Sequence, residues 1–511
     1  MKRLLFALGI LLSISWAGNA ERINQEGRIL GNLLPVTNSI LFDTSNTDAV
    51  VASMQIFPVT NPWNEDVSRL PILTNSTQMM AQIGADLLSS RQKLYLFQEM
   101  NYVLVPNGEP LLPIDFIYYP DQSDLNGGTY PSGLYPIPAN LPIEGWPTQT
   151  GTQTLAQWQT NNDGSDRHAI MVQPGTGALF ETWSTALSAG SWQAGNGAIF
   201  DLNTNELRPA GWTSGDAAGL PMFSALVRYD ECERGMVEHA CRMVVKRTRY
   251  NSYIYPATHY ASYATNTSPN LPAMGQRLRL KASYVIPSTW TKEEKALLLG
   301  LKKYGALVAD NGNFFSISIT PDDRWPANAF SDIGSPGIGL TNFEVVASTG
   351  PNEGPRSPGA PVAFAGTDQT IAVVGSAPLQ GFVSYSGSAP VIAWKLYSGP
   401  GAATFDNAAQ TNTMVNFSVP GIYTLELSAA DGVHAVAYDA VVITVTNAIA
   451  LVAHGGAGGV NLNWIGGNGP YIVEETGVLP AVVWTPVLTT AVQSVTFATT
   501  NKAEFFRVRG Q

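Results

Sequence analysis

The chain has 511 residues, of which only 13% are charged, with 48 glycines and 34 prolines. That length exceeds one ordinary domain, and so many turn residues beside so few charges exclude a helical bundle or a disordered chain. A net charge of −11 argues against a nucleic-acid binder, because phosphate contacts need a concentrated basic surface.

Residues 1–20 open with Met1-Lys2-Arg3, continue through an apolar stretch and end in Ala17-Gly18-Asn19-Ala20. This is the layout of a secretory signal peptide, so the expectation is an extracellular, secreted protein whose mature chain starts near Glu21. Nothing else in the sequence resembles a membrane span. The only two cysteines, Cys232 and Cys241, either close a short loop as a disulfide, as an oxidising compartment favours, or stay two buried free thiols.

Residues 21–150 are dense in proline, asparagine and aromatics, with a proline-pinned arm over 136–145. Asn64 and Glu144 are polar residues inside this apolar wrapping, and face either a cleft or a turn.

The most informative stretch follows. Asp166-Arg167-His168-Ala169-Ile170-Met171-Val172, then Gln173-Pro174-Gly175-Thr176, then Gly177-Ala178-Leu179-Phe180-Glu181-Thr182-Trp183 reads as a β-hairpin. A type II turn with Pro174 at its second position and Gly175 at its third puts Val172 opposite Gly177 and Ile170 opposite Leu179. His168 then lies across from Glu181 on one apolar face. The pair reads equally as a tuned acid/base or as a satisfied polar couple at a sheet rim.

Asp201 closes the next strand, and the loop from Arg208 carries Trp212 and Asp216. Asp201 is read as a site carboxylate and Asp216 as a loop cap. Arg228-Tyr229-Asp230-Glu231 leads into an alternating strand with His239, Cys241, Met243 and Val245 on one face, where His239 reads as a hydrogen-bonded core residue. His259 is the third histidine. Residues 275–286 alternate as a strand with Arg277, Arg279 and Lys281 on one face. Thr291 and Glu294 have capping-box spacing and start the one prominent helix.

Residues 349–360 are rich in glycine, proline and serine and read as a linker. Beyond it, residues 361–371, Gly421-Ile422-Tyr423-Thr424-Leu425-Glu426-Leu427-Ser428-Ala429-Ala430-Asp431-Gly432 and a last strand over 440–445 resemble the polycystic-kidney-disease (PKD) type of immunoglobulin-like domain. The resemblance covers residues 361–447 and implies a spacer or substrate-approach module of secreted bacterial enzymes, not a chemistry. Residues 448–511 resemble the small β-sandwich modules that end such proteins. In the large domain, the runs from His168 to Glu181 and from Trp212 to Asp216, with Arg228-Tyr229-Asp230-Glu231, His239 and His259, resemble an uncharacterised β-rich module of secreted bacterial proteins, which carries no residue roles. The expected fold is mainly β: a large sandwich or jelly-roll-like domain over 21–348 with one prominent helix, then two small β-sandwiches.

No Gly-x-Ser-x-Gly elbow and no His-Glu-x-x-His motif is present. Carboxylates, arginines and the eight tryptophans of the large domain point to an extracellular polysaccharide as partner, acted on without a cofactor by a monomer. A hydrolase would use Glu181 with Asp201 or Glu231 as its carboxyl pair. A lyase would use His168 or Tyr229 as base, with Arg228 or Lys281 neutralising a uronate. Trp183, Trp212, His259 and Lys281 are the expected substrate contacts. A metal held by His168, His239 and His259 is a minority reading, since their spacing fits no local ligand pattern. A non-catalytic carbohydrate-binding or adhesion protein is the alternative from another class.

Overall fold

The computed structural model describes residues 21–162, 164–261, 265–372, 376–456, 459–481, 483–498 and 504–510. The proposed signal peptide, residues 1–20, lies outside them. The chain is mainly β, as its composition predicts, and divides into two compact units, one of 22–360 with 432–435 and one holding the remaining residues of the C-terminal part.

Three sheets build the large domain. A five-stranded sheet runs in the order Ile40–Leu41, Val103–Leu104, Ala169–Gln173, Ala178–Trp183, Asn196–Asp201. Its strands alternate between two cores: Ile170, Val172 and Leu179 enter one, while Ala169, Met171 and Phe180 enter the other with Ile114, Tyr135 and Trp192 of the four-stranded sheet. Both faces are covered, so every residue of Ala169–Gln173 is buried.

The third sheet has six strands in the order Phe343–Val345, Arg277–Leu280, Ala306–Asn311, Cys241–Val245, Phe315–Ile319, Leu94–Gln98. Cys241–Val245 pairs in parallel with Ala306–Asn311, and Phe315–Ile319 in parallel with Leu94–Gln98. The helix Lys292–Lys303 starts as its sequence predicts: Thr291 Oγ1 accepts from Glu294 N at 3.1 Å, and Glu294 Oε2 accepts from Thr291 N at 3.0 Å. It buries Leu297, Leu298 and Leu301, each worth about 1.5–3 kcal/mol of transfer free energy.

The hairpin exists, but its register differs from the expected one. Gly177, not Gly175, takes the left-handed conformation, with φ of 74°. Gln173 O accepts from Gly177 N at 2.9 Å, so the turn runs two residues longer and Gln173 pairs with Ala178, Val172 with Leu179 and Ile170 with Glu181. A slip of two keeps every side chain on its face, which is why Glu181 stays on the apolar side while losing His168 as its opposite number.

The cysteines resolve one open alternative. Cys232 and Cys241 are separate buried thiols, Cys232 Sγ pointing toward the Glu293 carbonyl. Burial pushes both thiols well above their ordinary range, so neither is a ready nucleophile. Thiol titration of the unfolded chain without reductant is expected to find two thiols, and finding none would restore the disulfide. Within the stretch over 349–360 the Arg356 side chain is 5% exposed and donates to Glu65 Oε2 at 3.0 Å and to Thr60 O at 2.9 Å.

In the other unit, one four-stranded sheet, Gln369–Ala372, Ala437–Thr446, Gly421–Ala430, Val391–Ser398, accompanies a three-stranded one, Ser376–Gln380, Asn412–Phe417, Ala403–Phe405. Their core holds Leu379, Trp394, Val415, Tyr423, Leu425 and Ile443. The terminal module has two three-stranded sheets around Leu462, Trp464, Tyr471 and Val473.

Candidate functional site

The arm over 136–145 decides the surroundings of His168. Glu144 N donates to His168 O at 2.8 Å and Gly145 N to Glu99 O at 2.8 Å, so the arm is stitched between two strand ends and its one acidic side chain meets the imidazole. Glu144 Oε2 lies 2.8 Å from His168 Nδ1 and also accepts from His168 N at 3.2 Å. The other ring nitrogen, Nε2, faces Gly215 O at 2.8 Å. A carbonyl and an ionised carboxylate only accept, so both ring nitrogens carry protons and His168 is a cation. Burial opposes that charge, but the Glu144 carboxylate outweighs it and holds the imidazole at about 9. Conversely, burial works against Glu144, and the imidazolium still keeps its carboxyl below the usual range.

Arg167, next in the chain, is buried with φ of 47°, a left-handed value uncommon for a side-chain-bearing residue. Its guanidinium donates to Thr185 O at 2.9 Å and Trp158 O at 2.8 Å and thereby fixes the segment that leads into His168.

Around this pair lie further charges. Glu99 is half-buried, and burial together with the neighbouring Glu144 charge raises its carboxyl to about 7. Arg242, fully buried, donates from Nε and Nη2 to the two Asp216 oxygens at 2.8 and 3.0 Å and from Nη2 to Asp310 Oδ2 at 2.7 Å. Asp310 is raised, chiefly by burial. His259 Nδ1 faces Ala217 O at 2.8 Å, on the loop that presents Gly215 and Asp216. At the rim, Asp166 Oδ1 accepts from Trp183 Nε1 at 3.2 Å, and Trp183 is flanked by the exposed Tyr118 and Tyr119 rings at 5.6 and 6.2 Å.

The structure therefore gathers His168, Trp183 and His259 of the expected residues, and adds Glu144, Glu99, Asp216, Arg242 and Asp310. Glu181 does not pair with His168. Its carboxylate accepts from Met222 N at 2.9 Å and Phe223 N at 2.8 Å, so it caps the turn Phe223–Ala225, and burial raises it to about 7 against those hydrogen bonds. Asp201 is exposed and accepts from Asn203 N at 2.9 Å. It is the turn cap, and Asp216 the buried carboxylate, the reverse of the sequence reading. The physical reason is that Asp201 falls at a strand end, whereas Asp216 meets a guanidinium.

Arg228, Glu231 and His239 form a second buried group: Arg228 Nη2 to Glu231 Oε1 at 2.8 Å, and Glu231 Oε2 to His239 Nε2 at 3.1 Å. This makes His239 a hydrogen-bonded core residue as expected, although the strand starts only at Cys241 and His239 lies in the bend before it. Tyr229 packs on Trp325 at 5.2 Å under the Arg324 guanidinium. Trp212 is half-buried beside Arg208, and Lys281 lines a groove with Ile72, Met80, Leu340 and Phe343. Among the described residues no group of three or more His, Cys, Asp or Glu is arranged to hold a metal ion, and no helix is long and apolar enough to cross a membrane.

Sequence reasoning missed Glu99, for which no local signal exists. Arg242 had one, a guanidinium inside the otherwise apolar run Cys241–Val245.

Residues 365–445 match a family model that describes a PKD domain. Among solved structures, the solution structure of the PKD domain from KIAA 1837 protein is 22% identical, covering 16% of this chain and 84% of that one with a TM-score of 0.14. The extracellular cadherin domains 3–6 of protocadherin gamma B2 are 10% identical over 26% of this chain and 39% of that one, with a TM-score of 0.15. No curated protein matches the chain. Residues 365–445 are thus a PKD domain, a type common in extracellular proteins.

Proposed function

We propose that the large domain is a secreted, monomeric glycoside hydrolase acting on an extracellular polysaccharide, with Glu99 as general acid and Glu144 as the ionised carboxylate. The supporting observation is a pair of neighbouring carboxyl groups pushed in opposite directions, Glu99 up to about 7 by burial and Glu144 down by the His168 imidazolium. Glycosidic cleavage asks for that division, one carboxyl holding a proton for the leaving oxygen and one charged to assist from the sugar. His168 serves Glu144 as a fixed positive partner. Because it stays protonated to about 9 with both nitrogens engaged, it is a poor base, which favours hydrolysis over a lyase reaction.

The test follows new reducing ends on a polysaccharide panel as a function of pH. Activity is expected to fall as pH rises through about 7, where Glu99 loses its proton, and to drop about 10²–10⁴-fold in Glu99→Gln and Glu144→Gln. Cleavage unchanged in both variants, or no product on any polymer, would remove the reading. A non-catalytic carbohydrate binder is the second reading, favoured by the exposed rings of Tyr118, Tyr119 and Tyr130. It predicts retention on immobilised polysaccharide that both carboxyl variants leave intact.

A further inference from the structure

Beside the second charged group a cavity of about 30 Å³ is lined by Val51, Met54, Gln55, Ser224, Arg228 and Asp230, among others. Four of the side chains that line it each carry a buried atom with no hydrogen-bond partner among the described residues: Gln55 Oε1, Ser224 Oγ, Arg228 Nε and Asp230 Oδ1. Ser224, Arg228 and Asp230 are only 1, 4 and 8% exposed, so bulk solvent does not serve them. Nor do they serve one another: Arg228 Nε and Asp230 Oδ1 stand 3.9 Å apart, beyond hydrogen-bonding length. The remaining atoms of the same side chains are engaged, Arg228 Nη2 by Glu231 and Asp230 Oδ2 by Arg234, so rotation toward a new partner would break an existing ion pair.

Four unsatisfied polar atoms on side chains that line one pocket are far from the norm for a folded interior, where such groups find a partner. Their chemistry specifies that partner. Gln55 Oε1 and Asp230 Oδ1 only accept, Arg228 Nε only donates, and Ser224 Oγ does either. A ligand that gives two protons and takes one or two completes the set, and the space exceeds the roughly 10–15 Å³ that one water requires while leaving no room for an organic ligand. We propose that this cavity is a binding site for an ordered water, which joins the Arg228–Glu231–His239 network to the segment carrying Val51 to Gln55. The Arg228-Tyr229-Asp230-Glu231 motif then builds a hydrated joint inside the domain rather than a carboxylate-neutralising subsite, and this holds whatever the Glu99–Glu144 pair does.

Two measurements test it on the full chain. A crystal structure at high resolution, grown with and without glycerol, is expected to show a single-atom peak about 2.6–3.2 Å from at least three of the four atoms in both conditions. A larger molecule in the glycerol crystals, an ion, or no peak would overturn the proposal. Ser224→Ala gives an independent sign. If the hydroxyl holds a water, its loss lowers Tm by about 2–5 °C; if the hydroxyl is bare, removing it raises Tm or leaves it unchanged, which would also overturn the proposal.

Discussion

Replacing Arg242 by methionine is expected to destabilise the large domain by about 3–5 kcal/mol. The guanidinium is buried and is held by three charge-assisted hydrogen bonds to Asp216 and Asp310. Methionine fills most of its volume, so packing is nearly conserved and the loss is electrostatic: two carboxylates remain side by side, Asp216 buried and Asp310 partly buried. The measurement is urea unfolding followed by tryptophan fluorescence. Adding Asp216→Asn and Asp310→Asn to Arg242→Met is expected to recover a large part of the loss, because the stranded charges vanish with their partner. A cost below about 1 kcal/mol for Arg242→Met, or no recovery in the triple variant, would mean that water reaches the cluster and that its charges are solvated. Should Arg242→Met fail to accumulate as folded protein, the triple variant supplies the comparison.

The second large effect is on the pH dependence of stability. His168 titrates at about 9 in the fold and near 6.5 unfolded, so its contribution is fully present below 6.5 and is lost as pH rises through about 9. That shift corresponds to about 3 kcal/mol. Glu99 and Glu181 act in the same direction at lower pH. Each is raised to about 7, so each stabilises the fold below its ordinary value of 4.5 and loses that contribution as pH rises through about 7. Glu144 acts oppositely, its folded value being lowered, so its contribution is lost on acidification below 4.5. The large domain should accordingly be most stable near pH 5 and weaken steadily toward pH 9. Urea midpoints at pH 5, 7 and 9 would read this directly, with an unchanged slope in denaturant. In His168→Gln the decline between pH 7 and 9 should flatten while that between 5 and 7 persists. A wild-type midpoint equal at pH 7 and 9 would contradict the Glu144–His168 ion pair.

Glu181 shows how near sequence reasoning came to the site and why it stopped short. Alternation placed Glu181 correctly on the apolar face, because a strand's two-residue period is a local property. Its partner was misread because the left-handed residue is Gly177 rather than Gly175, and Pro-Gly turn chemistry alone does not distinguish a two-residue loop from a four-residue one. Glu144 stands out in the sequence as an acid in apolar wrapping, yet nothing near it announces that its backbone pairs with His168, 24 residues on.

The sequence by itself determined the β-rich class, the hairpin, the capping box at Thr291 and the PKD domain, all of which rest on turn residues, alternation or motifs within a few residues of one another. Only the tertiary structure decided the charge pattern of the candidate site. Glu99, Glu144, Asp216, Arg242 and Asp310 come from five separate segments, and their protonation depends on burial and on which opposite charge lies within a few ångströms, neither of which is encoded in any one stretch of the chain.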